Sequence, residues 1–327
     1  MDSKPAPASS RILITGAGGF IGRTLLAAPL RHPARAAVRS QSSPQLGPDQ
    51  VVVGDIDGQT DWSRALAGID CVVHLAAHVH VMNPTPKDRI EFERTNVLGS
   101  ERLARSAAES GVKRFVYLSS IKVNGEHTAA RAFRADDVPH PQDDYARSKL
   151  EAERRLADIG ASSDMAVAVV RPPLVYGAGV RANFLRLLSL AHSGLPLPLA
   201  SIANVRSMVS VWNLCDLIRA LLQHGQPMTG VFLAGDGEDV STAELVRRLA
   251  KIMNRRSRLF AMPIGALRIL AALAGRRAEL SRLCESLAVD ISDTCTRLAW
   301  SPPLSLDAGL RRTVSWYLQR STELEAA

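Results

Sequence analysis

ITGAGGFIG, residues 14–22, places glycines at 16, 19 and 22 directly after the apolar run RILIT (11–15) and directly before the amphipathic run 20–30. Glycines at that spacing allow a tight turn and let backbone N–H groups approach a ligand, while the N-terminus of the following helix attracts a pyrophosphate. A merely flexible linker has no need of this pattern between a strand and a helix. Gly16, Gly19, Phe20, Ile21 and Gly22 are therefore the expected phosphate turn of a dinucleotide site.

Outward from this turn, short β-branched runs alternate with helical ones: ARAAVR (34–39), VVV (51–53), CVVHLAA (71–77), a helix over about 88–110, RFVYLSS (114–120) and MAVAVVRPP (165–173). Such alternation predicts parallel βαβ units. After RPPLVYGAG the texture changes. A helix closed by Gly194, a strand and helix over 206–222, a strand at 230–235 and a helix at 241–253 follow, with no further alternation from 258 on. The expected fold is α/β, a Rossmann-type doubly wound parallel sheet with a smaller, mostly helical substrate domain interleaved in the C-terminal half. Residues 10–173 and 206–235 are assigned to the dinucleotide-binding domain, 174–205 and 236–327 to the substrate domain, and 1–9 to a disordered lead-in rich in Pro, Ser and Ala.

Composition narrows the class. With 327 residues, 46% of them hydrophobic, the chain can bury a sizeable core. AMPIGALRILAALAG (261–275) is interrupted by Arg268 and too short to span a bilayer, so an interfacial or core helix is expected, without stable membrane insertion. No secretory signal is read at the N-terminus, and a cytoplasmic location is expected. Cys71, Cys215, Cys284 and Cys295 are widely separated and read as buried thiols rather than a metal site or disulfide framework. The net charge of +8 is spread along the chain rather than clustered with aromatics, which argues against nucleic acid and for a small polyanionic ligand.

DDYARSKLEAE (143–153) carries Tyr145 and Lys149 one helical turn apart behind a capping aspartate. Four tyrosines and six lysines would produce some Tyr-x-x-x-Lys by chance with a probability of roughly 0.07. Alone, the pair is equally a solvated surface couple. At the end of the second strand, where an acid ordinarily accepts the adenosine ribose hydroxyls, the chain has Arg39 and Ser40. A guanidinium there suits the 2′-phosphate of NADP(H), with NAD(H) as the alternative; a plain surface arginine is the simpler reading. Asp55 and Ile56, after the third strand, are placed to meet the adenine.

The glycine turn, HLAA after a fourth strand, SS ending a fifth and Tyr-x-x-x-Lys on the next helix form an ordered set that resembles the extended short-chain dehydrogenase/reductases, the NAD-dependent epimerase/dehydratase superfamily. The resemblance covers nearly the whole chain. It implies that Tyr145 exchanges a proton with the substrate oxygen and that Ser120 binds that oxygen. Lys149 would hold the nicotinamide ribose and lower the phenol pKa, since an unaided phenol is a poor base at neutral pH. Leu75, Ala76, Ala77, Asn96, Ser119 and Pro172 would lie around the cofactor, with Pro173 near the nicotinamide. Arg171 reads as structural. The segment SSIKVNG has Asn124 where the family often has Tyr, and Lys122 where small residues are common, facing either substrate or solvent.

The second half resembles bacterial sugar-nucleotide 4-ketoreductases and 4-epimerases of O-antigen pathways. That likeness implies a nucleotide-sugar substrate contacted by Asn183 and Arg206, with Arg282 as a further diphosphate ligand and His78, His80 and Met82 along the sugar pocket. Core packing is the competing role for Met82. The expected reaction is NADPH-dependent reduction of a UDP-linked 4-keto sugar; the alternative is a UDP-hexose 4-epimerase, and a non-catalytic NADP sensor is the remote one. A dehydratase is disfavoured because the segment after Ser120 lacks the Asp-Glu pair used for elimination. The resemblance also implies possible homodimers through the helices over 88–110 and 144–159.

Overall fold

A computed structural model describes residues 11–79, 85–273, 275 and 277–325. The lead-in 1–9 lies outside the described residues. The first half runs β1 (Ile12–Thr15), α1 (Phe20–Ala27), β2 (Ala34–Val38), β3 (Gln50–Val52), α2 (Ser63–Leu66) and β4 (Cys71–His74). It continues through α3 (Pro86–Glu91), a π-helical stretch (Phe92–Gly99), α4 (Ser100–Glu109), β5 (Arg114–Leu118), α5 (Asp144–Ala161) and β6 (Ala166–Arg171). Next come β7 (Leu174–Tyr176), α6 (Ala182–Ser193), β8 (Met208–Ser210), α7 (Val211–Gln223) and β9 (Gly230–Leu233). The chain ends with α8 (Thr242–Ile252), α9 (Ile264–Leu273), α10 (Arg277–Cys284), α11 (Ser292–Leu298) and α12 (Leu306–Glu325).

Seven strands form one parallel sheet in the order β3-β2-β1-β4-β5-β6-β9, so the winding reverses between β1 and β4. The expected Rossmann-type α/β fold is present. Continuous apolar strands make sense here because both faces are covered. Ile14, Val73, Val116 and Val170 pack on one side with Leu25, Leu214 and Ile218. Their neighbours Leu13, Val72, Phe115 and Val169 face the other side, with Leu103, Ala152 and Leu156. A third core joins Tyr176, Phe184, Leu188, Leu249 and Leu310, from β7, α6, α8 and α12.

Three local features differ from the sequence reading. The helix expected over 88–110 starts at Pro86, behind a Thr85–Asp88 capping box, and widens into the π-helical stretch before continuing as α4. The LVY segment, to which the sequence reading assigns no strand, pairs in parallel with β8 as a separate two-stranded sheet. Cys71 and Cys215 are buried as expected, whereas Cys284 and Cys295 are only partly so, because α10 and α11 lie at the periphery of the cores. No helix among the described residues is long and apolar enough to cross a membrane.

Candidate active site

The C-terminal ends of the strands open into a cavity of about 920 Å³ at the point where the strand order reverses, the place where open α/β sheets receive ligands. Its floor is the glycine turn. Gly16 has φ of 65°, and a Cβ there would stand 2.7 Å from the backbone nitrogen of Ala76, so turn and β4 loop approach as only glycine permits. Gly19 precedes α1 with no side chain capping it, leaving the first helical N–H groups directed at the cavity. Gly16, Gly19, Phe20, Ile21 and Gly22 all line it. Built this way, the turn fits a dinucleotide pyrophosphate.

The adenosine-side candidates Arg39, Asp55 and Ile56 line the same cavity, as do Leu75, Ala76 and Ala77 beyond β4 and Pro172 with Pro173 beyond β6. Arg39 Nε is 3.0 Å from Asp55 Oδ1, and the arginine side chain is 82% exposed. Ser40, whose hydroxyl is 2.9 Å from that of Ser42, is not among the lining residues, whereas Ser43 is. Asn96 is fully buried behind the wall, because the π-helical stretch points it inward. It accepts from His78 N at 2.8 Å and donates to His78 O and to Ser148 Oγ, both at 3.0 Å, clamping the β4 loop to α5.

Ser119, Ser120, Tyr145 and Lys149 converge on the opposite end of the cavity. Extended backbone after β5 sends the two serines in opposite directions. Ser119 donates to buried Glu153, while Ser120 lines the cavity and accepts from Lys122 N at 3.3 Å. On α5, capped by Asp143 through Ala146 N at 2.7 Å, Tyr145, Lys149 and Glu153 repeat every four residues along one face. Lys149 Nζ donates to Leu118 O at 2.9 Å and to Tyr117 OH at 3.2 Å. Burial lowers its pKa to about 7, against the opposing pull of the Glu153 carboxylate. Tyr145 packs edge-on against Phe92 at 5.9 Å. Its phenol is pushed up, by burial first and by the Asp143 charge second. In this arrangement burial and the Asp143 charge set the direction of the phenol's shift.

The substrate-side candidates are more dispersed. Lys122, with its side chain 21% exposed, is held by ion pairs to Glu126 at 2.8 Å and Asp143 at 2.7 Å and is not among the residues lining the cavity. Asn183 is exposed in the first turn of α6, while Arg181, its cap residue, reaches the cavity. Arg206 is half-buried and donates to Glu285 O at 3.2 Å, and burial lowers its pKa. His78 lines the cavity and meets Asp88 at 3.3 Å. His80 and Met82 lie outside the described residues, as does the side chain of Arg282.

Several residues at the site escape sequence reasoning. His74 is fully buried, 2.6 Å from Thr15 Oγ1 and 2.9 Å from Ser100 Oγ, and burial lowers its pKa to about 3, so it is a neutral strut beneath the β4 turn. Arg94 lines the cavity, is paired to Glu91 at 2.9 Å, and has a buried Nε with no hydrogen-bond partner. Two left a signal: His74 opens the HLAA run, and Glu153 continues the four-residue spacing that begins at Tyr145.

The model of the family described as NAD dependent epimerase/dehydratase matches residues 12–235. A UDP-glucose 4-epimerase of Vibrio cholerae is 41% identical over 314 residues, covering 94% of this chain and 95% of that protein. An N-acetyl-alpha-D-glucosaminyl-diphospho-ditrans,octacis-undecaprenol 4-epimerase of Escherichia coli O157:H7 is 26% identical, with 94% and 95% covered. Among solved structures, MoeE5 in complex with UDP-glucuronic acid and NAD superimposes with a TM-score of 0.75 at 25% identity, covering 95% of this chain and all of that one.

Proposed function

The chain belongs to the NAD dependent epimerase/dehydratase family, and we propose that within it the protein is a sugar-nucleotide 4-epimerase acting on a UDP-hexose or UDP-N-acetylhexosamine. The observation that carries this reading is 41% identity to a UDP-glucose 4-epimerase across 94% of the chain. It takes precedence over the 4-ketoreductase first expected from the sequence.

A bound nicotinamide dinucleotide would supply the hydride acceptor and donor. The chain's own residues do the rest. Ser120, free of the buried cluster that engages Ser119, holds the C4 oxygen. Tyr145 accepts the proton from that oxygen as the phenolate, becoming the neutral phenol, and later returns it as the phenol; its raised pKa strengthens it as a base once it is ionised and lowers the fraction ionised at rest. Protonated Lys149, one turn along the helix, favours the phenolate that the first transfer requires. Its anchorage to Leu118 O sets where that charge stands.

NAD is the proposed cofactor. Arg39 is already answered by Asp55 and is largely solvated, so its attraction for a 2′-phosphate is screened and a phosphate there would also meet a carboxylate. The absence of an acid at the end of β2 is the observation that favours the second reading, an NADPH-dependent 4-ketoreductase. Incubating the purified protein with UDP-glucose and UDP-N-acetylglucosamine, without added cofactor and with NAD, tests the proposal. C4 epimers with no net change in nicotinamide absorbance are expected. Absence of epimers, together with stoichiometric NADPH loss on a 4-keto UDP-sugar, would replace the proposal with the reductase.

A further inference from the structure

Helix α9 turns most of its aliphatic side chains outward. Ile269 is 63% exposed, Leu270 53% and Leu273 82%, and Leu267 alone is buried. Phe260 and Ile264, immediately before them, are exposed as well. An apolar surface of this kind on a protein otherwise well packed marks an interaction site. Charge around it is one-sided. From Asn254 to Arg282 the sequence carries seven arginines and one acid, Glu279. Arg255, Arg256, Arg258 and Arg268 are exposed, and none of them forms an ion pair among the described residues.

We infer that the surface formed by 255–273 docks on an anionic lipid bilayer, with the aliphatic side chains entering the headgroup boundary and the arginines meeting lipid phosphates. Ten residues of α9 measure about 15 Å against a hydrocarbon core of ~30 Å, so the helix can lie in the interface and not cross it. Charge decides between occupants. A second copy related by a two-fold axis would set this arginine cluster against itself. Nucleic acid would call for aromatic stacking partners among the arginines, and this stretch holds only Phe260. An anionic membrane satisfies both the apolar and the basic parts. A groove of about 490 Å³ between α9 and α10, lined by Arg268, Ile269, Leu280 and Cys284 among others, adjoins the surface. Leu287 N donates to Val205 O at 2.8 Å just beyond α10, tying the helix pair to the β8 side of the fold. The inference does not depend on which sugar reaction the protein catalyses.

Cosedimentation of the full chain with phosphatidylcholine vesicles, with and without phosphatidylglycerol, tests it. Binding is expected only with phosphatidylglycerol and is expected to fall at high salt. Each basic residue near an anionic surface contributes about fivefold, so the triple variant Arg255→Glu, Arg256→Glu, Arg258→Glu should weaken binding by at least about a hundredfold. Ile269→Ser with Leu270→Ser and Leu273→Ser should also abolish it, and unchanged NADH binding by these variants would show that they are folded. Failure of the wild type to bind anionic vesicles would overturn the inference. So would serine variants that keep vesicle binding but shift the molar mass seen by light scattering, an outcome that would assign the face to a second copy of the chain.

Discussion

Glu153 and Arg171 form an ion pair beneath the candidate catalytic face of α5, at 2.5 Å, with side chains only 6% and 4% exposed. Arg171 stands at the end of β6 and Glu153 two helical turns beyond Tyr145. Their remaining capacity is used by Ser119, which donates to Glu153, and by Asn124, whose Oδ1 accepts from Arg171 at 2.9 Å. This explains why Asn124 occupies the place where tyrosine is common in the resembling family: the position serves a buried charge rather than the cavity.

Removing one partner of a buried ion pair strands the other charge, at a cost of about 3–5 kcal/mol. Arg171→Met and Glu153→Gln should each lower the urea midpoint accordingly. The double variant should recover part of the loss, and additive losses would show that the two residues are not coupled.

Tyr145→Phe removes the transferable proton and keeps the ring against Phe92, so turnover should fall by about 10²–10⁴ with NADH binding retained. Asp143→Asn keeps a good helix cap but removes a negative charge that raises the phenol. Phenolate absorbance of Tyr145, taken as the difference from Tyr145→Phe in each background, should therefore appear at lower pH in Asp143→Asn. An unchanged titration would mean that burial alone sets the phenol.

Lys149 gives the stability of the cofactor-free protein a pH dependence whose sign is determined. In the folded chain its pKa is lowered to about 7, against 10.5 for an exposed lysine. Between those values the unfolded chain binds more protons, so the contribution of Lys149 to stability rises with pH across that window and is least favourable below it. Denaturation of wild type and Lys149→Met between pH 7 and 9 should show this rise only in the wild type.

At the other end of the cavity, an exposed ion pair is worth about 0–1 kcal/mol, so Arg39→Ala should change NADH affinity by less than about fivefold. Wild type should bind NADH at least as tightly as NADPH. A preference for NADPH of about tenfold or more that vanishes in Arg39→Ala would return the cofactor assignment to NADP and strengthen the reductase reading.

What the sequence determined by itself is local. Three glycines between a strand and a helix, continuous apolar strands, Asp143 as a helix cap and the four-residue spacing of Tyr145 and Lys149 all rest on short-range sterics and periodicity, which operate before any distant part of the chain is in place. Tertiary structure decided matters that depend on partners far along the chain. It turned Ser119 toward Glu153 and left Ser120 to the cavity. It tied Lys122 to Asp143, 21 residues away, withdrew Asn96 behind the wall through the widened helix, and set Asp55 against Arg39. Each of these outcomes is a competition between burial, charge and available partners, and a linear sequence does not say which groups will be neighbours when that competition is settled.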